Sequence, residues 1–205
     1  MKYTTNTHNN SLWTKVMASL MAFVFAVGYV FAIPSIDATN LQTTAGVLVN
    51  GTSTSLSIAA PNKSVLTWQA FGSGTSTIDA GQRIEYTLPT ANSSVLNIVA
   101  GGAASVVNGA IESNGRVFIL NPNGVLIGGT STINAAGLYV STVDDPTVAL
   151  GYWNANSKLP SQDNLPTSVL TNGVTLNDGA VLQSIGENIT IASRATNIGG
   201  AMCYW

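Results

Sequence analysis

Short apolar alternations that recur at a fixed interval constrain this chain more than any other feature. The pair Val117/Ile119 returns 21 residues later as Leu138/Val140. The run GVTLNDGAVLQSIGENITIAS, residues 173–193, fits three such alternations into one interval of about that length. Leu66, Trp68 and Ala70, and then Ile84, Tyr86 and Leu88, follow the same pattern. Period-2 alternation over so few residues marks short strands with one face in a core. Between the strands lie Phe71-Gly72-Ser73-Gly74, Asn114-Gly115, Asn121-Pro122-Asn123-Gly124 and Asn177-Asp178-Gly179. These are turn residues, tolerant of positive φ or able to hydrogen-bond their own backbone. An interval near twenty residues that holds several strands is the pattern of a coil whose strands stack in parallel ladders. The expected fold is therefore all-β, a right-handed parallel β-helix with an N-terminal cap. An antiparallel sandwich is the alternative that the same strands allow.

The rhythm fails between about residues 143 and 171, where Asp144-Asp145-Pro146, Pro160 and Pro166 interrupt it. That segment is expected to be an excursion from the solenoid, with Tyr152 and Trp153 folding back over an open face, because uncovered apolar faces and strand edges invite association. The chain is 45% apolar and 8% charged, with a net charge of -2, so its surface must be carried by Asn, Ser, Thr and Gly. The seven basic residues stand singly, which excludes nucleic-acid binding by phosphate neutralisation.

Residues 17–32, MASLMAFVFAVGYVFA, hold no charge and follow Lys2 and Lys15. The run is shorter than the roughly 20 residues a spanning helix needs. It reads as a secretory signal, with cleavage after Ala32 or, given Pro34, after Ala38. The domains expected are a signal peptide over 1–38 and a β-helix domain over 39–205. Cleavage would remove His8, the sole histidine, leave five basic and eight acidic side chains, and so deprive the mature chain of any imidazole for general-base or metal work. Cys203 has no cysteine partner, which excludes an intrachain disulfide. No catalytic, cofactor-binding or metal-binding residue is assigned.

The stretch from Val65 to Asp144 resembles the N-terminal secretion domain of filamentous-haemagglutinin-type two-partner-secretion exoproteins, also called the haemagglutination activity domain. The resemblance is carried by Leu66-Thr67-Trp68-Gln69-Ala70-Phe71, the run IEYTLP from Ile84, Gly101-Gly102, NGAIESNGRVFILNPNGVLIG from Asn108 to Gly128, and INAAGLYVSTVD from Ile133. Asn121, Pro122, Asn123 and Gly124 form the motif to which either partner recognition or a purely structural corner is assigned. Pro122 sets φ at the first corner, Asn123 and Gly124 tolerate the left-handed region, and the Asn121 side chain can cap the turn. Some members carry an earlier Asn-Pro-Asn-Leu motif; Leu88-Pro89-Thr90-Ala91-Asn92 lies in that region without matching it.

The resemblance implies export in two steps. The general secretory machinery delivers the chain to the periplasm, and an Omp85-type outer-membrane transporter with periplasmic recognition domains moves it to the surface or the medium of a Gram-negative-type bacterium. It implies an adhesin-like exoprotein and, because family members continue for many more coils, a fragment or truncated product; a third reading is a self-contained adhesin whose outward Thr/Asn/Ser face itself binds a glycan or a host surface. The competing reading is a secreted β-helix enzyme or carbohydrate-binding protein. Past Ala38, however, Asp79, Glu85, Glu112, Asp144, Asp145, Asp163, Asp178 and Glu187 include one adjacent pair, and Asp144-Asp145 before Pro146 reads as a turn. Trp68, Phe71, Tyr86 and Phe118 read as core or caps, and the sequons at Asn50, Asn62, Asn92 and Asn188 as surface turns.

Overall fold

The computed structural model describes residues 41–73, 75–144, 150, 153, 172–200 and 202–204. The proposed signal segment, Asp145-Pro146 and Tyr152 lie outside the described residues. Two strands open the described chain, β1 (Leu41–Thr43) and β2 (Leu48–Gly51). Five coils of three strands follow. The first is β3 (Ser55–Ala59), β4 (Ser64–Trp68) and β5 (Thr77–Ile78); the second is β6 (Arg83–Thr87), β7 (Ser94–Val99) and β8 (Ser105–Val107). The third is β9 (Ala110–Ser113), β10 (Arg116–Leu120) and β11 (Val125–Ile127); the fourth is β12 (Thr132–Ala135), β13 (Gly137–Ser141) and β14 (Val174–Leu176). The fifth is β15 (Val181–Ser184), β16 (Ile189–Ala192) and β17 (Thr196–Ile198), and β18 (Met202–Tyr204) begins another turn.

Corresponding strands stack into three sheets, β2-β3-β6-β9-β12-β15-β18, β1-β4-β7-β10-β13-β16 and β5-β8-β11-β14-β17, here called the first, second and third. Every coil-to-coil pairing is parallel, whereas β1 on β4 and β2 on β3 are antiparallel. This is a parallel β-helix with an antiparallel N-terminal cap, as expected, and the sandwich alternative is overturned by the parallel pairing. The interval read from the sequence is a true rung spacing, since Val117 lies opposite Leu138 and Ile119 opposite Val140.

Like residues stack inward on like. Ile84, Ile111, Ile133 and Leu182 form a ladder in the first sheet, and Val107, Ile127 and Leu176 one in the third. All are buried, and each such side chain removed from water contributes roughly 1.5–3 kcal/mol before entropy is counted. Trp68, Phe71 and Tyr86 belong to this bore. Phe118 does not: it points outward from the second sheet, stacks on Tyr139 (5.6 Å between centroids) and meets Trp153 edge-on at 4.8 Å. Residues 142–173 separate β13 from β14, where Asn121–Gly124 suffices between β10 and β11. Trp153, 1% exposed, lies in this excursion and seals the outer face of the second sheet.

Candidate functional site

The motif Asn121–Gly124 occupies the corner where coil 3 passes from the second sheet to the third. The Gly124 amide donates to the Asn121 carbonyl (3.1 Å), closing a β-turn with Pro122 at its second position. Only Gly124 adopts positive φ, +106°; Asn123 does not, so the turn is of type I and the left-handed step falls on the glycine alone. The Asn121 side-chain oxygen accepts from the Asn123 amide at 2.9 Å, an Asx turn that fixes the corner from within.

The same side chains tie the corner to its neighbours. Asn121 is fully buried, and its Nδ2 donates to the Ala103 carbonyl (3.0 Å) and Ser105 Oγ (2.8 Å) of the preceding coil. Asn123 Nδ2 donates to the Gly101 carbonyl at 2.7 Å. A Cβ on Gly101 would lie 1.8 Å from the Gln69 carbonyl oxygen, so only glycine lets coils 1 and 2 approach there. On the other side, Asn172 Nδ2 donates to the Pro122 carbonyl (2.7 Å), and Thr142 Oγ1 donates to the Asn172 carbonyl (2.7 Å). Residues 142 and 172, the ends of the excursion, therefore meet beside the motif. Leu88–Asn92 sits at a different corner, between β6 and β7, where the Leu88 backbone is held by Asn114 at 2.7 Å through both its amide and its carbonyl.

Three arrangements were not legible in the chain. Glu85 and Glu112, 27 positions apart, are register partners on the outer face of the first sheet. Two carboxylates so placed repel, and Arg83, 3.6 Å from Glu112, offsets part of that repulsion. Arg116 reaches Glu187 across two coils (2.5 Å) and also donates to Asn92. In the bore, the Asn97 side-chain oxygen accepts from Trp68 Nε1 (3.0 Å) and Tyr86 Oη (2.8 Å), while its Nδ2 donates to the Phe118 carbonyl (3.1 Å). The only sequence sign of this network is an amide at an inward position of the apolar run SVLNIV. Burial drives the Tyr86 phenol far above its ordinary pKa, a rise that the hydrogen bond to Asn97 only partly opposes. Tyr139 is raised by burial as well.

Among the described residues no group of three or more His, Cys, Asp or Glu side chains could hold a metal ion. A groove of about 430 Å³ crosses the coils between the third and first sheets, lined by Thr54, Gly81, Arg83, Gly109 and Thr132 among others, with no carboxylate among its lining residues. The four sequon asparagines are exposed, but Asn50 lies within β2, paired with Ser57, and not in the turn expected for it.

The described residues thus form a parallel β-helix with a capped N-terminal end, a covered outer sheet face and an interlocked Asn-Pro-Asn-Gly corner. The family model described as TPS secretion domain, for two-partner secretion, matches residues 34–202, and the chain belongs to that family, a class of secretion modules and not of enzymes. Such a domain implies a dedicated transporter partner, and TPS exoproteins leave Gram-negative bacteria through an outer-membrane transporter. The chain is 40% identical over 77 residues to a heme/hemopexin-binding protein of Haemophilus influenzae, a match covering 38% of this chain and 8% of that protein. A second Haemophilus influenzae protein of the same name is 35% identical over 85 residues, covering 40% and 8%. The match thus spans a small part of the length of these relatives. Among solved structures, the HMW1 secretion domain from Haemophilus influenzae shares the fold, with a TM-score of 0.55 at 19% identity over 74% of this chain and 38% of that one.

Proposed function

We propose that residues 39–205 are the export address of an adhesin-like exoprotein, read by an Omp85-type outer-membrane transporter while the chain is still unfolded, and that residues 1–38 are the signal peptide that brings it to the periplasm through the general secretory machinery. The observation that carries this reading is the match of the TPS secretion-domain model to residues 34–202, and the burial of Asn121, with both ends of its amide committed inside the fold, adds the condition that the address be read unfolded. A partner that reads this side chain must do so before the corner closes. An extended, weakly charged, β-prone segment pairs readily with an exposed sheet edge, and periplasmic recognition domains would supply one. Coil-by-coil folding outside then opposes return.

The test is co-expression of the full chain with its transporter. Deleting Asn121–Gly124 is expected to leave the protein in the periplasm, and undiminished surface delivery overturns the reading. In vitro, the denatured chain diluted onto the transporter's periplasmic domains should bind, and the prefolded chain should not; equal binding of both removes the requirement for an unfolded address.

A further inference from the structure

Asn97 stands where an apolar side chain would be expected. It lies in the middle of β7, fully buried, opposite Leu66 of β4 and Ile119 of β10. Its neighbours along the inward face of β7 are Val95 and Val99, each 0–1% exposed. Three groups, one from each of three coils, meet on this one amide: the indole N–H of Trp68 in coil 1, the Tyr86 hydroxyl in coil 2 and the Phe118 carbonyl in coil 3. Both lone pairs of the amide oxygen are used, and the Trp68 and Tyr86 donors share that single acceptor.

A parallel ladder of aliphatic residues is poorly protected against slippage by two positions, because such a slip keeps every inward side chain inward. For β7 against β4, a two-residue slip would replace one Val/Leu/Trp contact with another of similar kind. Asn97 breaks that degeneracy. Displaced by two residues, its oxygen leaves the Trp68 and Tyr86 donors and its Nδ2 leaves the Phe118 carbonyl, so several polar groups are buried without partners, each at a penalty well above the gain from one satisfied bond. A polar group buried in an apolar seam is best attested in this use, as a marker of register.

We infer that Asn97, with Trp68 and Tyr86, is a register bolt that selects the native stacking of the first three coils as the chain folds. The inference rests on the export reading, in which the domain folds after translocation with no template, and it gives that folding a point of selection immediately before the Asn121–Gly124 corner. Phe118, the last partner to join, is three residues from the motif, so the bolt closes with the strand that leads into the corner.

The test is disulfide trapping during refolding of the purified full chain, with Cys203 replaced by Ser and cysteine pairs placed across β4 and β7. Thr67→Cys with Ile98→Cys reports the native register, and Thr67→Cys with Leu96→Cys a two-residue slip. With Asn97 in place, the native pair should form in preference by about tenfold or more. The variant Trp68→Phe/Tyr86→Phe/Asn97→Leu replaces every polar side chain of the network with an apolar one, and should bring the two pairs to within about twofold of each other. A native preference that survives in the triple variant overturns the bolt. Should the triple variant not fold, Tyr86→Phe alone decides: a reduced preference supports the inference, and an unchanged one overturns it. No transporter takes part in these experiments, so their failure leaves the export address standing, just as export after deletion of Asn121–Gly124 would leave the bolt standing.

Discussion

The second sheet and its two companions are built from the same coils but buried differently. In the first and third sheets the strands alternate, as in Thr132–Ala135 and Val125–Ile127, whose inward residues are buried and whose outward ones are partly or fully exposed. In the second sheet Ser94–Val99 and Gly137–Ser141 are buried at every position. The difference lies in what covers the outside. Leu96, Ile98, Phe118, Leu120 and Tyr139 form a second core under Trp153 and Leu150. A parallel strand covered on both faces loses its alternation and becomes a continuous apolar run. Trp153 and Leu150, which lie between β13 and β14, thus turn middle strands of an otherwise solvent-facing sheet into interior ones.

Four measurements would break or sharpen this contrast. The largest effect is expected for Trp153→Ala, which should lower stability by about 3–5 kcal/mol in urea titrations if the outer core is as closely packed as the bore. A loss below about 1 kcal/mol would mean that the excursion rests loosely on the sheet.

The two raised tyrosines come next, Tyr86 inside the bore and Tyr139 on the outer face. In both the folded pKa exceeds the unfolded value near 10, so stability is complete below about pH 10. Above it the unfolded chain releases protons that the folded chain retains, and stability falls by about 1.4 kcal/mol per pH unit for each tyrosine. Tyr139→Phe should halve that slope, and an unchanged alkaline slope would show that its face is open to water. Ile119→Val, which removes one methyl from the bore, is expected to lower stability by about 0.5–1.5 kcal/mol, measurable as a shift in the urea midpoint at constant m. Smallest is Leu126→Thr, on the outward and partly exposed side of the third sheet, for which the thermal midpoint should correspond to a change within about 0.5 kcal/mol.

Much of the architecture could be read before any coordinates. Val117/Ile119 and Leu138/Val140 announced a rung, the strands within residues 173–193 fall at β14, β15 and β16, and the segment between β13 and β14 was recognised by its prolines and broken rhythm. The aromatic residues were harder. Trp68, Phe71 and Tyr86 are core, as expected of aromatic side chains here; Phe118 faces outward, as the alternation of Val117 and Ile119 requires, but nothing in RVFIL announces the second core that buries it. Turn chemistry was also only partly legible. Gly72, Gly124 and Gly179 take positive φ as expected, whereas Lys63 and Ser76 do so without any glycine to mark them.

The sequence by itself determined where strands begin and end, which side chains face the bore and which residues turn the corners, because these depend on conformational preferences and periodicity within a few neighbouring positions. Tertiary structure alone decided which rung meets which. Asn97 finds Trp68 and Tyr86, Glu85 finds Glu112, and Arg116 finds Glu187 71 residues away. Such partners are set by the lengths of the intervening coils, and one of those coils carries an excursion that no local pattern could have measured.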